Sequence, residues 1–134
     1  MFDLSPMTFD WTRGRLAEGL RLYRAGDFFA THEAWESVWL HARQPQKLFL
    51  QALIQTTVAF HHLQRNNLLG ATRLLTAALR KLDSYPPAFG NIDVALLCND
   101  IRACLQTLSA ATSESVSAPS ILHLSPPRIQ PPSL

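Results

Sequence analysis

Apolar residues recur along this chain at helical spacing, and alternation of period two is scarce. Phe9, Leu16, Leu20 and Tyr23 fall within a narrow arc at about 100° per residue, which predicts a first amphipathic helix from about Phe9 to Ala25. Gly26-Asp27 closes it, because glycine supplies a left-handed C-cap and aspartate can cap the next N-terminus. The second helix is expected from Phe28 to about Arg43, where "QPQ" interrupts it. Pro45 cannot continue a helix but suits the first turn of another. The third, from about Gln46 to Arg65, is apolar on more than one side through Phe49, Leu53, Ile54, Val58, Phe60 and Leu63, which places it centrally. Asn66-Asn67 forms the next turn, since asparagine tolerates positive φ. A clean stripe of Leu68, Ala71, Leu75, Leu79 and Leu82 predicts a fourth helix to about Ser84. "YPPAFGN" reads as an irregular connection, and Asp93 as the cap of a fifth helix ending near Leu108.

After Leu108 the periodicity stops and the chain becomes rich in Ser, Ala and Pro, ending "ILHLSPPRIQPPSL". That composition predicts a disordered or polyproline-like tail. The expected architecture is therefore all-α: about five helices, as two packed antiparallel helical hairpins plus a fifth helix. One helical domain is expected over residues 1–108, with a flexible tail over 109–134. "AGDFFATHEAW" can be laid over "RNNLLGATRLL" with a shift of 40 residues, a thin echo that suggests the two hairpins are similar units.

With 134 residues and 47% hydrophobic content, the chain suits one domain with a real core. No run of about 18 apolar residues predicts a membrane span. The first residues carry acids early and have no apolar signal-peptide core, so the default location is the cytoplasm. A net charge of +2 does not call for a nucleic-acid partner, and Arg13, Arg15, Arg21 and Arg24 are spread around the first helix as a solvated surface. Cys98 and Cys104, six residues apart on a helix, point away from each other and read as reduced, packed thiols.

The chemistry concentrates on helices two and three. Taking Phe28 as zero, Trp39 falls at about 20°, His32 at about 40°, Glu36 at about 80° and Phe29 at about 100°. Glu33 falls near 140° and Trp35 near 340°. His32 and Glu36 thus lie inside an apolar arc as an i, i+4 pair. On helix three, Gln51, Gln55 and His62 share one stripe, while His61 falls on another side. The short "QPQ" connection makes the two helices antiparallel neighbours, so the stripes can meet as a polar seam walled by Trp35, Trp39 and Phe29.

Such a seam supports three readings. It can be a structural network, because buried polar groups are normally satisfied, or a pocket for a small polar ligand or ion. It can hold a divalent metal for a hydrolase, with His32, Glu36 and His62 as ligands and Glu33 as base, although "HEAWE" is not H-E-x-x-H and no Glu-x-x-His occurs. Nothing marks a nucleophile, a phosphate loop or an oxyanion hole, so the non-catalytic readings are favoured and no cofactor is predicted. The third reading is an interaction module whose hairpin surfaces or tail bind a protein partner or a second copy.

"GDFFATHEAWESVW", "FLQALIQTTVAFHHLQRNNLLGATRLLTAALRKL" and "NIDV" resemble the bacterial and plastid-lineage family called domain of unknown function 309. The resemblance covers about Leu22 to Leu97 and implies a small helical fold with no established reaction. The family's characteristic polar positions match His32, Glu33, Glu36, Gln51, Gln55 and His62, and Trp39, Asn67, Gly70 and Asp93 match as well. This chain departs from the pattern at Asn66, where the family has glycine, and at His61, where it has an aromatic residue.

Overall fold

The computed structural model describes residues 9–113 and 124–133. Five helices follow in order: α1 (Gly14–Arg24), α2 (Phe28–Trp39), α3 (Gln46–Gln64), α4 (Leu68–Leu82) and α5 (Val94–Ser113). Between α4 and α5, β1 (Ala88–Phe89) and β2 (Ile92–Asp93) form a two-residue antiparallel ladder, with Gly90 and Asn91 at positive φ between them. α1 packs on α2, α2 on α3, α3 on α4 and α4 on α5. The all-α class with two helical hairpins and a fifth helix is the fold of the chain.

The helix boundaries move for local reasons. α1 begins at Gly14, not Phe9, because the Asp10 carboxylate takes the Thr12 backbone N–H and the Arg13 Nε, which stabilises a turn in place of helix. Phe9 still reaches the core, from that turn, beside Leu16, Leu20 and Tyr23. α2 stops at Trp39, short of Arg43, and "YPPAFGN" contains β1 instead of being wholly irregular. α5 runs to Ser113, five residues beyond Leu108.

The two hairpin turns repeat one another bond for bond. Gly26 and Asn66 both take left-handed backbone, at φ 83° and 61°. Each chain then closes a Schellman-type cap: Asp27 N–H to the Leu22 carbonyl at 2.9 Å, and Asn67 N–H to the His62 carbonyl at 2.8 Å. The Asp27 side chain accepts from Ala30 N–H, and the Asn67 side chain from Gly70 N–H. Thr31 and Ala71, four residues into each turn, are both fully buried. The echo at a shift of 40 residues is thus a repeated turn-and-cap device.

Trp35 locks the first hairpin. Its indole is fully buried, packs beside the rings of Tyr23 and Trp11, and donates from Nε1 to the Leu16 carbonyl at 3.2 Å. The indole lies on Gly19, where any Cβ would fall inside van der Waals contact of Trp35 Nε1 and Cδ1. Glycine in mid-helix weakens α1 but lets the two helices approach.

Residues 124–133 run back along α5 in an extended path and lie against α1 as well. Ser125 meets Cys104, Arg128 meets Asp100, and the Gln130 carbonyl accepts from Asp93 N–H. Tyr23 Oη donates to the Pro127 carbonyl at 2.6 Å, and Arg24 Nη2 to the Ile129 carbonyl at 3.0 Å. Ile129 and Pro127 are buried. Part of the Ser/Pro-rich segment expected as a flexible tail is therefore seated on the helices. Residues 114–123 lie outside the described residues. Cys98 and Cys104 are buried free thiols, and burial pushes the Cys104 thiol up to about 11, so it stays protonated and unreactive at neutral pH.

Gly19→Ala should drive a methyl group into the Trp35 indole and cost about 1–3 kcal/mol by overpacking. A lower urea midpoint at unchanged m-value would report it, and an unchanged midpoint would show that α1 and α2 can separate without penalty. The Arg128 side-chain hydrogen bonds hold the Asp100 carboxyl below its ordinary value, with the Arg128 N–H and charge adding and partial burial opposing. A folded value below the unfolded one gives stability present above about pH 4 and lost as pH falls through the folded value. The stability gap between the native chain and Asp100→Asn should therefore close on going from about pH 6 to about pH 2.

Candidate functional site

Helices α2 and α3 bring the seam together in part. They are antiparallel neighbours, with Phe28 and Phe60 in ring contact at 5.6 Å. His32 Nε2 and Glu36 Oε2 are paired at 2.7 Å, one helical turn apart. The pair is only partly sheltered: the His32 side chain is 30% exposed and that of Glu36 47%. Glu33 is exposed. Among the described residues, no hydrogen bond carries the pair across to Gln51, Gln55 or His62.

Each of those three residues has its own setting. Gln51 and Gln55 are half-buried on α3, and Gln55 Oε1 is fully enclosed with no hydrogen-bond partner. His62 Nδ1 lies 3.3 Å from Asn67 Nδ2, so its ring is tied to the turn after α3. No three His, Cys, Asp or Glu side chains among the described residues form a group that could hold a metal ion, so His32, Glu36 and His62 are not gathered as ligands.

The aromatic residues expected as walls divide three ways. Trp35 faces away from the seam, into the α1–α2 core, where its indole N–H meets Leu16. Trp39 is half-buried with Lys47 Nζ 4.4 Å over its ring, and its own Nε1 is enclosed without a partner. Phe29 is 54% exposed and stands between His32, at 6.2 Å, and His61, at 5.6 Å. His61 and His62 are 6.4 Å apart, so rings run from His32 on α2 through Phe29 and His61 to His62 on α3.

His61 and Lys47 are the residues that the helical wheel left out of the seam. A wheel compares positions on one helix only. Pairing Phe28 with Phe60 sets Phe29 beside His61 and Trp39 beside Lys47, a register that an antiparallel hairpin with a short connection could have suggested. The surface is an open face between two helices. The cavities of about 420 and 280 Å³ lie elsewhere, against α5 and beside Phe9.

Chemically, the face presents acceptors at Glu33, Glu36 and Gln55 Oε1, a donor at Trp39 Nε1, and imidazoles that can play either part. The enclosed acceptor and enclosed donor are its unusual members, because buried polar atoms are normally paired.

Residues 16–74 match the family model described as Domain of unknown function (DUF309). The match runs from α1 into α4 and contains every residue of this face, whereas α5 and residues 124–133 lie beyond it. No curated protein matches the chain.

An exposed i, i+4 pair contributes little. The coupling between His32 and Glu36, measured by a double-mutant cycle through His32→Ala and Glu36→Ala, should stay below about 1 kcal/mol. A coupling of about 3 kcal/mol would make the pair a structural element of the hairpin.

Proposed function

We propose that this DUF309-bearing chain is a non-catalytic binding domain whose α2–α3 face takes a small polar ligand. The observation that carries the reading is Gln55 Oε1, an acceptor enclosed between packed helices with nothing donating to it. An unpaired buried acceptor costs about 1–3 kcal/mol, so a chain that keeps one has a use for it or leaves it for a guest. Trp39 Nε1, equally unpaired, offers the complementary donor on the facing helix. The His32–Glu36 pair supports the same reading, because its exposure makes it a poor structural device and leaves it reachable. Phe29, more than half exposed, would cover an apolar part of such a ligand.

Protein-observed NMR tests the proposal. Titration with amino acids, amines, sugars and nucleosides should move the Trp39 indole and Gln55 side-chain signals before others. A panel that leaves both unmoved would overturn it. Gln55→Met keeps the length of the side chain and removes the orphan acceptor. It should leave the melting temperature unchanged or raised while abolishing those shifts. A loss of stability above about 1 kcal/mol would instead assign Gln55 to the framework of the fold.

A further inference from the structure

The α1–α5 groove holds residues 124–130 by contacts that read a short motif. Tyr23 Oη binds the Pro127 carbonyl and Arg24 the Ile129 carbonyl, which fixes the extended backbone. Asp100 then takes three hydrogen bonds from Arg128: its backbone N–H at 2.9 Å, Nε at 2.9 Å and Nη2 at 3.0 Å. Ile129 fills a buried slot beside this anchor. A carboxylate on Arg128, a slot for the Ile129 side chain and the burial of Pro127, with Pro126 half-buried before it, together favour Pro-Pro-Arg-aliphatic, presented in an extended conformation. Proline-rich segments are recognised in grooves lined by aromatic side chains, and their stiffness lowers the entropy lost on binding.

Solvent-open clefts of about 420 and 220 Å³ flank the segment, one against Asp100, Cys104 and Thr107 of α5 and one beside Tyr23 and Arg24. Arg128 is well exposed while Asp100 is mostly sheltered, so the outer part of the contact belongs to the segment and the inner part to the helices. Nothing in the contacts depends on the segment being joined to α5, so any chain of the same motif would make them.

We infer that the α1–α5 groove is a docking site for proline-rich peptides bearing Pro-Pro-Arg-aliphatic, and that residues 124–130 occupy it in cis. The occupant in trans is such a peptide on another protein. The tethered segment competes at high effective concentration, so the groove is closed to weak partners and opens to those that outcompete it. The inference does not depend on the function proposed for the α2–α3 face.

Fluorescence anisotropy of a labelled LSPPRIQPP peptide tests this with the full-length chain. Arg128→Glu with Ile129→Ala in the chain sets a carboxylate against Asp100 and empties the slot, releasing the segment. Neither substitution lies in a helix, so the helical circular dichroism should be retained, while the exposure of Tyr23 and the loss of buried Ile129 lower the melting temperature. The released chain should bind the peptide about tenfold or more tightly than the native chain does. The same peptide with glutamate for arginine should not bind, and adding Asp100→Arg to the released chain should reverse that preference. Absence of binding by the released chain, with hydrogen exchange confirming that residues 124–130 have left, would overturn the inference. So would a segment that stays protected in the double variant, since it would then be a fixed part of the fold. A native chain that doubles its mass by exchanging segments between copies, with no peptide binding, would overturn it in favour of self-association.

Discussion

The contact between Trp35 and Gly19 is the constraint on which the first half of the molecule depends. A fully buried indole seated on a helix backbone requires a residue without Cβ beneath it, and its N–H needs an acceptor, which the Leu16 carbonyl supplies. Once these are met, α1 and α2 have one relative position. That position presents Tyr23 toward Phe28 and Trp35, and sets its hydroxyl where the chain can return to it after α5. The same packing turns Phe29, His32 and Glu36 outward, toward α3 and solvent.

The second hairpin uses the same turn with different side chains. A left-handed residue, a Schellman bond and an Asp or Asn cap suffice to reverse the chain, so the device survives a change from Gly26-Asp27 to Asn66-Asn67. The hairpins then differ in what fills them. The first is closed by aromatic rings, whereas the buried residues of α3 and α4 include Leu50, Leu53, Ala71, Leu75 and Ala78. That leaves the α2–α3 face as the place where polar side chains collect.

Two surfaces of different character result. The α2–α3 face is open, lies wholly within the matched DUF309 segment, and is marked by two enclosed polar atoms without partners. The α1–α5 groove joins that segment to residues beyond it, and its Tyr23, Arg24 and Asp100 side chains are engaged by residues 124–130. One surface has unmet hydrogen-bonding capacity and the other has an occupant.

Helical periodicity and caps are local, and the amino-acid sequence by itself determined them: five helices, the turns at Gly26-Asp27 and Asn66-Asn67, the Asp93 cap and the i, i+4 pairing of His32 with Glu36. A helical wheel also located Gln55 and Trp39 on the facing sides of α2 and α3. It could not say how deep each side chain sits, because depth depends on how closely the helices approach. Only the tertiary structure decided that Trp35 belongs to the α1 side, that His61 joins Phe29, and that His32 and Glu36 remain half in solvent. Only the tertiary structure, too, seated residues 124–133, since a proline-rich segment has no periodic signal of its own. Its place is set by Asp100, Tyr23 and Arg24, between 28 and 105 residues away along the chain. Contacts at that separation exist only after the helices have packed.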